Sequence, residues 1–284
     1  MKIFVKNMLG LIPDSLYLKY RYKHYTKKKL NLKEPKTFNE KLQWLKLHNR
    51  KPEYTVMADK VKAKDYIAKV LGEEYVIPTL GVWDRAEDVD FNSLPDKFVI
   101  KCNHNSGLGM YVCTDKSKMD VEKIRRGLKL GLRQNYYACD REWPYKNIKR
   151  KIIAEQFLDD GSGHGLIDYK VFNFNGVPKI IQVDFDRFTG HKKNLYTTEW
   201  ELCDFEFNYP AHPEVEIPRP KQLEKILEAS RILSKGHPYL RTDFYVVGDN
   251  VYVGEITFFP ASGYGKFNPE EYDKKFGDMI DLSL

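Results

Sequence analysis

Residues 241–257, RTDFYVVGDNVYVGEIT, decide how this chain is read. Two runs of β-branched and aromatic residues flank Gly248-Asp249-Asn250, the composition of a β-hairpin. With a three-residue loop at 248–250, Asp243 lies opposite Glu255 and Arg241 opposite Thr257. Side chains two apart on a strand share a face. All four then project to one side, with opposed Cβ atoms about 5 Å apart. A two-residue loop would send the carboxylates to opposite faces. Opposed carboxylates repel unless a shared proton, a neighbouring cation or a metal compensates them. With a threonine oxygen beside them, Mg2+ held by two carboxylates and nucleotide phosphates is a natural occupant. A surface hairpin with scattered charges is the plainer alternative.

The second informative stretch is FVIKCNHNSGLGMYVC, residues 98–113. It reads as strand, glycine-rich bend, strand. The bend carries Asn103, His104, Asn105, Ser106, Gly107 and Gly109, and Lys101 ends the first strand. A P-loop would place its lysine after the glycines and lead into a helix, and this order is reversed. If the bend holds phosphate, it does so as a strand–loop–strand flap whose backbone N–H groups close over the anion, with Lys101 as a point charge at its base. A polar hairpin turn has the same local sequence.

A chain of 284 residues is long enough for two lobes. The net charge of +7 suits anionic partners such as a nucleotide, an acidic sugar or a lipid headgroup. No arginine-rich tract or nucleic-acid module is present, so DNA and RNA are not expected partners. The four cysteines form no CxxC pair and no zinc-like spacing, which reads as reduced thiols in a cytoplasmic protein. No stretch approaches the roughly 20 apolar residues of a membrane span. The N-terminal MKIFVKNMLGLIPD is not read as a signal peptide, because Lys6 interrupts its apolar run and no small-residue cleavage site follows.

Residues 1–58 read as a basic helical segment, with a capping box from Thr37 to Glu40. Its Tyr/Leu and Lys/Arg pattern is that of a helical lobe with solvated lysines, or of a surface that meets anionic headgroups. A helix is expected from Asp59 to Leu71 and a strand at 75–77. DKSKMDVEKIRRGLKLGL reads as a helix, RKIIAEQFLDDGSG as a strand that breaks, DYKVFNFNGVPKIIQVD as a hairpin turning at Asn175-Gly176, and QLEKILEASRILSKG as a helix ended by Gly236. Strand pairs separated by helices imply α+β lobes. The expected division is 1–58, 59–154 and 155–284.

Taken in order, TFNEKLQWLKLHNR, ADKVKAKDYI, LPDKFVIKCNHNSG, REWPYKNIKRKIIAEQFL, DYKVFNFNGVPKIIQVD, RTDFY, GEITFFPASG and FNPEEYDKKFGD make the chain resemble the TupA-like branch of the ATP-grasp superfamily, which is named after a teichuronopeptide-biosynthesis protein. The resemblance covers almost the whole sequence. It implies an α+β ATP-grasp fold, with two α+β lobes sandwiching ATP under a glycine-rich loop, and a basic helical N-terminal extension. It implies ATP and Mg2+ as cofactors and a carboxylate–amine ligase that works through an acyl phosphate in capsular or surface polysaccharide assembly. The acceptor would be an acidic glycan or other carboxylate, such as a uronic acid, and the donor an amine. The expected location is the cytoplasm, with peripheral contact at the inner membrane face. A glycosyltransferase, a sugar or polyol kinase and a grasp-fold binding module are the alternatives.

By the same resemblance, Lys60 and Lys101 are the nucleotide lysines. Asn105, Ser106 and Gly107 belong to the phosphate loop. Glu155, Gln156, Phe157 and Leu158 form the interlobe hinge at the adenine edge. Asp243 and Glu255 are the metal carboxylates, and Arg241 steadies the transferring phosphoryl group. The family's third metal ligand, an Asn two residues after the Glu, is Thr257 here, a departure that leaves room for a water. His104 is a candidate phosphate donor or acceptor activator, and Lys170 faces ATP or forms a cross-strand pair with Asp168. In DRFTGHKKNLY, Arg187, His191, Lys192, Lys193 and Asn194 are candidates for an anionic substrate or phosphate. Tyr145, Lys146 and Asn147 are candidates for the acceptor.

Overall fold

Helical periodicity in the first quarter of the chain is realised as α1 (Asp14–Thr26), α2 (Phe38–His48), α3 (Glu53–Ala58) and α4 (Lys62–Leu71). The computed structural model describes residues 12–161, 165–186, 190 and 192–283. The capping box of α2 forms as its sequence requires. Thr37 Oγ1 accepts from the Glu40 N–H, and the Glu40 carboxylate accepts from the Thr37 N–H. The helix expected from Asp59 starts at Lys62, because Asp59 Oδ1 instead accepts from the N–H of Val61 and the side-chain amide of Asn103. The strand expected at 75–77 moves to β1 (Thr79–Trp83), past Pro78.

Two compact units divide the chain, and they interleave along it. The first gathers Lys51–Tyr66 and Val76–Leu158; the second gathers Asp14–Arg50, Ile67–Tyr75 and Asp159–Leu284. Of the helices expected as a separate N-terminal extension, α3 therefore groups with the first unit, and α1 and α2 with the second. Their core contacts show why: Leu18, Tyr22 and Leu30 pack with Leu47 and Tyr264.

In the first unit, β2 (Phe98–Cys102), β3 (Met110–Cys113) and β4 (Ile152–Gln156) join β1 in an antiparallel sheet of order β1-β4-β2-β3. Helix α5 (Val121–Arg133), capped by Asp120, covers one face over Phe98, Ile100, Cys102, Ile152 and Ala154. Alternation sends Lys101, Ile153 and Glu155 to the other face. The short helix α6 (Tyr137–Asp140) follows α5.

The second unit is built on β5 (Asp168–Phe174), β6 (Val177–Phe185), β7 (Lys192–Thr197), β9 (Tyr239–Val247) and β10 (Asn250–Thr257), in the order β10-β9-β5-β6-β7. Strand β8 (Glu206–Phe207) pairs with β11 (Phe267–Asn268). Helix α7 (Leu223–Ser234) packs on one face of the large sheet, where Ser230 Oγ bonds both Asn173 and Thr242. Phe38 of α2 packs edge-on against Tyr239, and also against Phe276 of α8 (Glu271–Asp278). The opposite face from α7 carries the charged residues described next. No helix among the described residues is long and apolar enough to cross a membrane.

Candidate active site

The carboxylates of the deciding hairpin come together by a route the sequence reading did not anticipate. Strands β9 and β10 join through a two-residue turn, with Asn250 paired to Val247. That loop alone would separate Asp243 from Glu255. The register then shifts between Val253 and Glu255, and beyond the shift Asp243 pairs with Glu255 and Arg241 with Thr257. A β-bulge at Gly254 replaces the expected three-residue loop. A Cβ on Gly254 would lie 2.6 Å from the Tyr245 ring, so the bulge needs a residue without one.

On this face Arg241 grips Asp243 with a fork. Its Nε and Nη2 donate to the two carboxylate oxygens at 2.7 Å each, and Nη2 also donates to Thr257 Oγ1 at 3.2 Å. Burial disfavours the charged guanidinium, but the Asp243 carboxylate outweighs it and holds the Arg241 pKa above its ordinary value. Lys170 of β5 pairs across from Asp243. Its ammonium contacts Asp168, lies 3.3 Å from Asp243 and sits 3.6 Å from Asp184. Burial alone would depress Lys170; the surrounding carboxylates, Asp243 foremost, raise its pKa instead. Gln182 donates to Asp184 at 2.6 Å, and Lys193 stands 3.8 Å from the same carboxylate.

Among the described residues, no three His, Cys, Asp or Glu side chains already converge as a metal cluster. The donor chemistry nevertheless fits Mg2+. Asp243 and Glu255 are paired hard-oxygen donors, and Mg2+ takes one or two carboxylates plus phosphate and water. Thr257 Oγ1 accepts from Arg241 Nη2, a contact that helps orient the guanidinium.

The first unit presents the opposite charge pattern. Glu155, 5% exposed, meets Lys101 through one oxygen and Lys64 of α4 at 2.8 Å through the other. Lys64 also donates to the Ile77 carbonyl at 2.6 Å. The lysines hold the Glu155 carboxyl below the usual carboxylate range although burial pushes the other way. Lys60 Nζ donates to the Asn105 carbonyl at 3.1 Å, and the Lys60 N–H donates to the Asn103 carbonyl.

The glycine-rich bend is anchored in its first half and open in its second. Asn103 is fully buried and binds Asp59 and the backbone of Lys149 and Lys151. Asn105 donates to Gln134 Oε1 at 3.1 Å. His104 Nε2 lies 3.1 Å from the Gln134 carbonyl, and burial pushes the imidazole down to about 4. A neutral ring whose Nε2–H donates to that carbonyl fits the pair, which ties His104 to the end of α5. Ser106 and Gly107 are exposed, and Gly107 has φ 81° with no neighbour where a Cβ would stand.

The remaining expected residues scatter. Gln156 is exposed, Phe157 and Leu158 are half-buried, and Lys97 lies 5.7 Å from the Phe157 ring centroid. Lys192 is 3.7 Å from Asp186. Asn194 is buried on the other side of β7, where it donates to the carbonyls of His212 and Val215 and accepts from the His212 N–H. Its contacts brace a loop. Alternation thus puts Lys193, and neither neighbour, on the charged face. Arg187 and His191 lie outside the described residues. Tyr145 packs against Tyr136, and Lys146 lies over the Tyr137 and Trp143 rings. The sequence reading missed Lys64 and Asp184, and it did not separate Lys193 from its neighbours. For Lys193 and Asp184, the strand parity shared with Lys170's neighbours was the available signal; for Lys64 it was the four-residue step from Lys60.

A family model described as TupA-like ATPgrasp matches residues 40–281, and the chain belongs to that family. No curated protein matches it in sequence. Among solved structures it is similar to the D-alanine–D-alanine ligase of Bacillus anthracis complexed with ATP, at 16% identity and TM-score 0.45, over 79% of this chain and 63% of that one. The D-alanine–D-alanine ligase of Helicobacter pylori gives 21% identity and TM-score 0.43, over 86% and 69%. The N5-carboxyaminoimidazole synthetase of Staphylococcus aureus complexed with ADP gives 13% identity and TM-score 0.44, over 71% and 44%. The chain therefore spans less than two thirds of the length of the Bacillus anthracis ligase.

Proposed function

We propose that this member of the TupA-like ATP-grasp family is an ATP-dependent carboxylate–amine ligase acting in surface-polysaccharide assembly. The observation that carries the reading is the Arg241–Asp243–Glu255–Thr257 set, which a bulge places on one face of the second unit. The first unit offers Lys60, Lys101 and the open Ser106–Gly107 backbone to phosphate, and Glu155 to the adenine amino group. The polysaccharide setting and the acidic-glycan acceptor rest on the family resemblance alone.

A carboxylate does not react with an amine, because oxide is its leaving group. In the reading proposed here, an acceptor carboxylate oxygen attacks the γ-phosphorus of ATP and ADP leaves. The amine nitrogen then attacks the acyl-phosphate carbon, inorganic phosphate departs, and the nitrogen loses its proton. The protein's part is positioning and charge neutralisation. Lys101 and Lys60 offset triphosphate charge. Arg241 is held rigid by Asp243 and Thr257, so it meets the transferring phosphoryl group at little reorganisation cost. Asp243 and Glu255 would hold Mg2+, which would supply further charge neutralisation at the transferring phosphoryl group when bound. Lys193, on the same face, is the better candidate than Lys192 for an anionic acceptor.

The test is hydroxylamine trapping. The protein is incubated with ATP, Mg2+, hydroxylamine and a panel of uronic-acid glycans and amino acids. A hydroxamate with ADP and inorganic phosphate supports the ligase, and Lys101→Ala should suppress it. A stable phosphorylated acceptor would establish a kinase, and transfer from a nucleotide sugar without ADP a glycosyltransferase.

Peripheral membrane contact belongs to the same reading. Residues 14–36 carry eight Lys/Arg against two Asp/Glu, nearly all of the chain's +7. On α1, Leu16 and Tyr20 are 58% and 68% exposed beside exposed Lys19, Lys23 and Lys27. Lys28 is instead paired with Glu270. Reversing Lys19, Lys23 and Lys27 to Glu is expected to abolish salt-sensitive co-sedimentation with phosphatidylserine vesicles. Equal sedimentation of wild type and variant would refute the contact.

A further inference from the structure

Two lysine ammoniums share one buried carboxylate at Glu155, and they are not equivalent. Lys64 is fixed twice, by Glu155 at 2.8 Å and by the neutral Ile77 carbonyl at 2.6 Å. Lys101 is held by Glu155. The three charges sum to a cation in a site where the side chains of Glu155, Lys64 and Lys101 are 7%, 13% and 15% exposed. A buried group of charges left unbalanced favours an incoming anion. That anion recruits the lysine with less to lose, which is Lys101. Its departure would leave Glu155 as a bare buried carboxylate unless a second cation stays.

We propose that Lys64 is that second cation: a positioning residue that keeps Glu155 ionised and aimed after Lys101 moves to a nucleotide phosphate, and so sets the preference for adenine over guanine. This rests on the ATP reading above. An ionised carboxylate accepts from the adenine amino group and repels the guanine carbonyl oxygen. A carboxyl that protonates, or that swings after Lys101, loses this discrimination. Lys64 lies four residues beyond Lys60, so one short segment delivers a lysine to the phosphate loop and a lysine to the base-reading carboxylate.

The experiment is calorimetric titration of the full chain with the non-hydrolysable analogues AMPPNP and GMPPNP. The wild type is expected to prefer AMPPNP. Lys64→Met should lower the AMPPNP-to-GMPPNP affinity ratio about tenfold, and Lys64→Arg should restore it. Lys101 remains beside Glu155 in Lys64→Met, so the fold should persist, which circular dichroism checks. If it does not, Lys64→Gln replaces it, with the pH dependence of AMPPNP binding as the readout: loss of binding should move to higher pH than in the wild type. A folded Lys64→Met with an unchanged ratio, an unshifted Lys64→Gln profile, or a wild type without base preference overturns the inference and leaves ATP binding standing. A wild type that binds neither analogue overturns the ATP reading itself.

Discussion

The charged clusters of the two units are built on the same kind of surface, one face of an antiparallel sheet, with opposite balance. In the first, one carboxylate, Glu155, serves two lysines. In the second, Asp168, Asp184 and Asp243 crowd around Lys170, with Glu255 opposite Asp243 and Arg241 beside it. The first cluster is short of negative charge and suits an anion. The second has carboxylate oxygens to spare and suits a cation. The difference teaches that each lobe's contribution is set by which charge its sheet leaves unbalanced, more than by the number of charges present.

Breaking the acidic end should have the largest effect. Glu255→Gln removes one carboxylate charge and keeps the shape. Turnover is expected to fall about a thousandfold, with a melting temperature close to wild type. Near-normal hydroxamate formation would remove Glu255 from the site.

The comparison also depends on register, and Gly254→Val attacks that directly. A side chain there meets Tyr245 at 2.6 Å, so either the ring gives way or the bulge relaxes. A stability loss of about 1–3 kcal/mol in urea unfolding is expected, with turnover falling further than stability explains because Glu255 leaves its partner. A stable, active Gly254→Val would mean that the bulge is not what pairs the carboxylates.

A smaller effect should appear in the first unit as a pH dependence. Burial lowers His104 from 6.5 to about 4. The unfolded chain takes up this proton near pH 6.5, while the folded chain resists until about pH 4. The folded pKa is depressed, so the stability contribution is complete above pH 6.5 and is lost as pH falls toward 4. His104→Asn should therefore lose less of its stability than wild type between those limits, measured by urea midpoints. Parallel curves would show that His104 does not titrate this way.

The smallest signal separates the two halves of the glycine-rich bend. Adding AMPPNP should slow amide exchange at Ser106 and Gly107, where the chain is exposed, and leave Asn103 to Asn105 unchanged, since their side chains are already hydrogen-bonded. Uniform protection across 103–109 would make the whole bend the lid.

What the sequence determined by itself is local. The capping box of α2, the Asn175-Gly176 turn between β5 and β6, the end of α7 before Gly236 and the shared face of Arg241 and Asp243 each depend on residues within a few positions of one another. The order of motifs, summed along the chain, was enough to identify the family. Tertiary structure alone decided the rest. Asp243 faces Glu255 because the register shifts at Gly254, beside the Tyr245 ring, and a hairpin sequence does not state where its register slips. Lys64 matters because α4 brings it to a strand ninety-one positions away, and Asn194 braces a loop because residues 212–215 fold back to meet it. The physical reason is common to all of these. Propensity and turn chemistry act over a turn of helix or a pair of strand residues, whereas a buried charge is placed by whichever distant group is left to neutralise it.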